Sequence, residues 1–254
     1  MDFKFSEITL LITHYNRSKS LERLLETMVK LNCYFFDIIV SDDGSKDEHL
    51  SYLRDLKKTY KFTLVTTDIN KGLGNNINKG QDAVKSPYTL YIQEDFIPQD
   101  LFPEKLRDAF SYMESDPKLD MARFYAYVKY PNLVNIGNGF ATMVFNPYTL
   151  DYQKFYYYSD HPHLRRSTFF EKFGRYREGV KSDYTEYCMM MSVLKNKGKS
   201  IYYTNFRDLF LQENSSAEPS TVKREFWRQN DNPVLRVVRD IYRYTKFNYN
   251  LLIK

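Results

Sequence analysis

Apolar positions in the first hundred residues alternate between two periods. Unbroken runs of strand length occupy 8–13 (ITLLIT), 37–41 (DIIVS), 61–67 (KFTLVTT) and 88–92 (YTLYI). Between them the apolar residues recur at helical spacing. Leu21, Leu24, Leu25, Met28 and Val29 share one face of 18–31, and Leu50, Leu53 and Leu56 share another. Ser45 and Glu48, in S-x-x-E spacing, predict a capping box at the start of the second helix. The stretch NKGLGNNINKGQDAV (70–84) reads as a glycine-marked loop running into a short helix. Strands alternating with helices predict right-handed crossovers, a parallel sheet and an α/β architecture.

The second half is less regular. Phe102, Leu106, Phe110 and Met113 mark a helix; MARFYAYV (121–128) and FATMVF (140–145) read as strands, with a turn in NIGNGFA (135–141). A helix starting near Ser182 runs through YCMMMSVLKNK to Gly198, which suits the C′ position, and SIYYT (200–204) is a further strand. Two basic, partly amphipathic helices follow at 221–229 and 234–247. In the second, Leu235, Val237, Val238, Ile241 and Tyr242 mix with basic residues without forming one clean stripe. These features divide the chain into 1–100 and 101–218, two halves of one domain, and a basic helical extension at 219–254.

Ligands of parallel α/β sheets bind at the carboxyl ends of the strands, so the polar residues that follow each strand carry the most information. The first strand is followed by Thr13, His14, Tyr15, Asn16 and Arg17, the second by Asp42, Asp43, Gly44 and Ser45, and the fourth by Gln93, Glu94 and Asp95. Convergence on one rim gives a cleft with at least three carboxylates. Adjacent carboxylates repel unless a cation or a set of donors lies between them, which marks the cleft as a cation site. Asp42, Gly44 and Ser45 have a second reading as turn and helix-cap residues. His161 and His163 stand at i, i+2 with no third ligand nearby, and read as structural or as part of an acceptor loop. Adjacent Arg165 and Arg166 read as a solvated face.

Composition narrows the classes. A hydrophobic fraction of 43% over 254 residues is enough for a substantial core. No run approaches about 18 apolar residues, and the first residues lack the pattern of a secretory leader. Cys33 and Cys188 form no metal or redox motif, which fits a reducing compartment. The expectation is a soluble, cytoplasmic chain. The net charge is +5, and 220–254 alone carries eight Lys or Arg against three acids, 8 − 3 = +5. That tail suits either packing on the domain or docking on an anionic membrane surface from the inner face. No nucleic-acid module is recognisable, so nucleic acid is not an expected partner. A G-x-G-x-x-G after strand one and a Walker A lysine are both absent, against nicotinamide and P-loop chemistry.

The ordered series TLLITHYNR, IIVSDDGSKD, NKGLGNNINKG and LYIQEDF resembles the nucleotide-sugar-binding half of family 2 glycosyltransferases of the GT-A fold, and GRYREGVKSDYTEYCMMMSVLKNKGKSIYY extends the resemblance to about 200 residues. The resemblance implies a Rossmann-like, mainly parallel sheet and an inverting transfer from a nucleotide-sugar, UDP most readily, to a hydroxyl of a saccharide or lipid-linked saccharide in surface polysaccharide synthesis. It implies a divalent cation, Mn2+ or Mg2+, held by Asp95 with Glu94 beside it accepting from ribose or sugar hydroxyls. Ile92 stands where the family pattern has its first Asp. Asp43 is implied as the acceptor for the base, with Thr13 and Tyr15 holding base and ribose. Asn16, Arg17, Asp42 and Lys71 complete the implied donor site, Lys71 beside Gly72, which occupies the place of a base-contacting Arg. Inverting transfer needs a general base; Asp183 matches the family's acidic motif, and Glu186, one helical turn on, is the reserve. Glu213 lies near the place of a late metal-binding His. Two rivals stay open, a non-catalytic nucleotide-sugar-binding subunit and a sugar nucleotidyltransferase.

Overall fold

A computed structural model of the chain describes residues 2–213, 218 and 233–253. Its main sheet is built from β1 (Phe3–His14), β2 (Cys33–Asp42), β3 (Thr63–Val65), β4 (Tyr88–Gln93), β6 (Met121–Arg123), β7 (Leu133–Gly137), β8 (Phe140–Met143), β9 (His163–Arg166) and β10 (Ser200–Tyr203). They run β3-β2-β1-β4-β9-β6-β10-β8-β7, and β5 (Phe96–Pro98) pairs with β11 (Phe210–Gln212) in a separate ribbon. The first four strands are mutually parallel, as their apolar runs predict. β9 breaks the pattern by pairing antiparallel with both β4 and β6.

Helices cover both faces: α1 (Ser18–Lys30), α2 (Asp47–Tyr60) and α4 (Phe102–Ser115) one side, α3 (Leu73–Asp82), α5 (Phe169–Phe173) and α6 (Ser182–Lys195) the other, with α7 (Pro233–Leu252) against α6. Pleating sends successive β1 residues to opposite cores: Leu10 and Ile12 pack with α1, and Leu11 packs with Ile77 of α3. A strand buried on both faces reads as an unbroken apolar run.

Several expectations change. Val29 is exposed, because 100° per residue carries it past the edge of the stripe made by Leu21, Leu24, Leu25 and Met28. The capping box does not form; α2 has no side-chain cap, because Ser45 Oγ donates to Asp42 Oδ1 instead. The strand at 61–67 shortens to β3, and 121–128 remains strand only as far as Arg123. After α6 the left-handed residue is Lys197, with Gly198 donating back to Val193 O at 2.8 Å. The SDHPHLRR segment contains central strand β9 rather than a loop, and Arg165 is fully buried rather than solvated. Arg165 donates to Tyr176 Oη at 2.7 Å and Gln81 Oε1 at 2.8 Å, and lies over the Phe169 and Phe170 rings. The helix expected at 221–229 lies outside the described residues.

Candidate active site

The parallel register brings the ends of β1, β2 and β4 level: His14 pairs with Asp42, and Thr13 with both Ser41 and Gln93. Two adjacent-carboxylate pairs, Asp42–Asp43 and Glu94–Asp95, therefore stand at one rim, as the polar clusters after the strands predict.

Asp42 is buried and fully engaged. His14 Nδ1 donates to its Oδ1 at 2.8 Å, and Ser45 N and Thr66 Oγ1 donate to its Oδ2 at 3.0 and 2.8 Å. Burial opposes its ionisation, but these donors outweigh it and hold the carboxyl at about 2. His14 Nε2 accepts from Arg17 N at 3.2 Å, which fixes the neutral Nδ1–H tautomer. Burial, which lowers the imidazole pKa, keeps that ring uncharged. Neither oxygen of Asp42 faces a ligand without surrendering a partner inside the chain. Asp42 thus holds the β1 and β2 loops together, and His14, unassigned from sequence, is its main partner.

Asp43 accepts from Lys71 N and Gly72 N, each at 2.9 Å, while burial raises its pKa. The backbone of Lys71, rather than its exposed side chain, makes this contact. Gly44 (φ +66°) permits the turn, since a Cβ there would lie 2.4 Å from the Ile69 carbonyl carbon. Lys79 Nζ donates to Asp42 O and, at 2.6 Å, to Asn76 Oδ1. Burial lowers its pKa to about 8 against the pull of Asp43 and Asp42. Asn16, at φ +54°, staples the loops by donating to Ser45 Oγ and accepting from Lys46 N, both at 2.8 Å. Tyr15 is half-buried at the rim, whereas the Thr13 hydroxyl lies in the core, 3.1 Å from Tyr91 Oη.

Glu94 and Asp95 form the turn between β4 and β5. The charge between them is the Arg17 guanidinium, with Nη1 3.3 Å from Asp95 Oδ2 and 3.7 Å from Glu94 Oε1. Arg17 Nη2 also donates to Glu213 O at 3.3 Å. Gln212 Nε2 donates to Asp95 Oδ2 at 2.9 Å, and Glu213 N donates to Asp95 O at 2.9 Å. The Glu213 carboxylate is half-exposed and 3.8 Å from Arg23 Nε, so its backbone rather than its charge reaches the pair. Burial, and then the Asp95 charge, push Glu94 up to about 8 despite Arg17. Asp95 Oδ1 is buried with no hydrogen-bond partner.

A cation can be tested against this donor set. Among the described residues no group of three or more His, Cys, Asp or Glu is placed to hold a metal. An all-protein cage is therefore absent there. A hard cation that takes one or two carboxylate oxygens and completes its shell with phosphate and water fits the pair, because Asp95 Oδ1 is an unclaimed buried oxygen.

On the other side of β4, Asp183 is exposed in the first turn of α6 and Glu186 is half-buried below it. Glu186 Oε1 accepts from Asp160 N at 3.2 Å, and Gln93 Nε2 donates to Asp160 O at 3.3 Å. Burial raises both carboxyls, Asp160 well above its usual range with the Glu186 charge adding to it. Asp160 escaped sequence reading because its partners lie 26 and 67 residues away. His161 packs among Phe96, Tyr125 and Tyr127, and His163 is buried beside Tyr91; these are structural positions.

The model of glycosyl transferase family 2 matches residues 9–193. The poly-beta-1,6-N-acetyl-D-glucosamine synthase of Staphylococcus epidermidis is 28% identical over 112 residues, covering 44% of this chain and 26% of the synthase. An uncharacterized glycosyltransferase of Haemophilus influenzae is 24% identical over 143 residues, 55% of this chain and 45% of that protein. The chain thus spans a quarter to a half of these relatives. Among solved structures, S. aureus TarS 1–349 in complex with UDP-GlcNAc superposes with a TM-score of 0.60 at 15% identity, over 96% of this chain and 72% of that one. The mannosyltransferase PcManGT of Pyrobaculum calidifontis, in complex with GDP-Man and Mn2+, gives 0.55 at 15% identity over 79% and 55%. These likenesses establish the GT-A-like fold.

Proposed function

The chain belongs to glycosyl transferase family 2, and from that premise we propose that it transfers a sugar, with inversion, from a UDP-sugar to a hydroxyl of a saccharide or lipid-linked saccharide. The observation that carries this reading is the meeting of two carboxylate pairs at one rim, one satisfied internally and one with an unclaimed buried oxygen. UDP-GlcNAc in the TarS complex supports the choice of donor, and the synthase relatives support surface polysaccharide synthesis as the setting. Residues 1–100 would bind the donor and 101–218 the acceptor.

In this reading Asp43 accepts from the base N–H while Lys71 and Gly72 hold its carboxylate in place, and the half-exposed Tyr15 ring stacks on the base. Asn16 and Asp42 keep the loops in register, and Thr13 fixes the end of β1 through Tyr91. Asp95, with Glu94, would hold Mn2+ or Mg2+ and Arg17 would meet the diphosphate. A bound cation would neutralise charge building on the departing diphosphate. Glu213 would contribute through its backbone. Asp183, at the open end of α6, takes the proton of the acceptor hydroxyl. Glu186 orients Asp160, and through it the Gln93 end of β4. A lipid-linked acceptor would set this work in the cytoplasm, at the inner face of the membrane; none of the described helices is long and apolar enough to cross one.

The test is nucleotide release from UDP-, GDP- and dTDP-sugars with Mn2+, Mg2+ or chelator, with saccharide acceptors, comparing wild type with Asp183→Asn. Cation-dependent release from one donor, lost in the variant while UDP still binds, is expected. Nucleotide binding with no turnover under any condition would favour a non-catalytic binding subunit.

A further inference from the structure

α7 lies on the body through one narrow face. Phe247 is buried against Phe155, Tyr156 and Tyr187, Asn250 donates to Tyr187 Oη, and Arg243 donates to Tyr152 Oη at 3.2 Å. That stripe is 243, 247 and 250. The opposite stripe is apolar as well: Val238, Ile241, Tyr242, Tyr249 and Leu252 are each 56–83% exposed. Single exposed apolar residues are ordinary, but five along one side of a helix form a contiguous patch.

Arg239 and Lys246 border this patch along one side, and Arg236 shares the packed stripe of Arg243. Arg236, Arg239, Arg243 and Lys246 follow one another at spacings of three or four, so they run along one side of α7, and Asp240 is the helix's one acid. Between α7 and the 150–153 segment lies an open groove of about 610 Å³, lined by Arg236, Arg239 and Arg243 together with Asp151 and Asp240. Leu150, which also lines the groove, and nearby Tyr148 are 84% and 88% exposed. The apolar surface therefore continues across the groove onto the body of the protein.

We propose that this face of α7 docks in the plane of an anionic lipid bilayer. The exposed aliphatic and aromatic side chains enter the acyl boundary, and the basic border with its arginine groove meets lipid phosphates. The chemistry matches an interfacial helix, one apolar face with Lys and Arg along its groove side, rather than a spanning one. A second copy of the chain is a poorer occupant, because a two-fold contact through this face sets one basic border against another. The inference concerns α7 and does not depend on the transferase reading.

The experiment is co-sedimentation of the full chain with vesicles of phosphatidylcholine containing phosphatidylglycerol, against vesicles of phosphatidylcholine alone. Binding to the anionic vesicles is expected to be at least about tenfold tighter and to weaken with salt. Ile241→Asp with Tyr249→Asp, and separately Arg236→Glu with Lys246→Glu, are each expected to weaken it by about tenfold or more. All four positions are on exposed parts of α7, so the circular dichroism spectrum and thermal midpoint should be unchanged and report that the variants fold. Equal binding to both vesicles, no binding, or binding that survives either double substitution overturns the proposal. So does a dimer in solution that Ile241→Asp dissociates, which would assign the face to a second copy. Because no sugar donor is involved, this result stands apart from any test of catalysis.

Discussion

The two carboxylate pairs at the rim are alike in sequence and opposite in physics. Asp42 and Asp43 sit in donors supplied by their own chain, with His14, Ser45 and Thr66 on one and two backbone amides on the other. Glu94 and Asp95 share one guanidinium, and an oxygen of Asp95 has no hydrogen-bond partner. The consequence is a carboxyl held at about 2 in the first pair and one pushed up to about 8 in the second. Carboxylates become scaffold where donors surround them and chemically available where burial outruns their partners.

Substitution separates the two pairs most sharply at Asp95. Asp95→Asn is expected to cut turnover about a thousandfold by replacing the charged carboxylate with a neutral amide that holds a cation weakly, measured as nucleotide release. Its melting temperature should stay level or rise, since the repulsion within the pair is relieved. Asp42→Ala reverses that outcome. It leaves the donors of His14, Ser45 and Thr66 unsatisfied in a buried site and is expected to destabilise the fold by about 3 kcal/mol in urea titration.

The pH dependence of stability has opposite signs for Glu94 and Asp42. Glu94 ionises less readily folded than unfolded, so its stabilising contribution is complete below the ordinary glutamate value of 4.5 and is lost as pH rises towards about 8. Glu94→Gln should flatten the urea midpoint across that window and raise it at the alkaline end. Asp42 behaves in reverse: its contribution is present above the ordinary aspartate value of 3.8 and is lost as pH falls towards about 2. The smallest effect expected is at Gly44. Gly44→Ala strains a left-handed position against the Ile69 backbone and should cost about 2 kcal/mol, read from the thermal midpoint.

Strands buried on both faces were legible because their apolar runs are unbroken, as in β1 and β4. β9 was not, because HLRR reads as solvated until Arg165 meets Tyr176, Gln81 and two phenylalanine rings. The same limit applies at the rim. The positions of Asp43, Glu94 and Asp95 follow from strand ends, which are local. The placing of Arg17 between Glu94 and Asp95 depends on the return of 212 and 213 to the turn after β4, and the Asp160–Glu186 contact on packing of α6. Val29 shows a lesser version, where a face assigned from five apolar residues is narrower than the five.

The central claim is that the Glu94–Asp95 pair, and not Asp42–Asp43, is where a cation joins the nucleotide to the protein. Calorimetric titration of UDP, with Mn2+ or with chelator, into wild type and Asp95→Asn tests it most directly. The account predicts binding strengthened by Mn2+ in wild type, and only the weaker, cation-independent binding in the variant. Equal affinity with and without Mn2+ in wild type, or a Mn2+ effect that persists in Asp95→Asn, would contradict it.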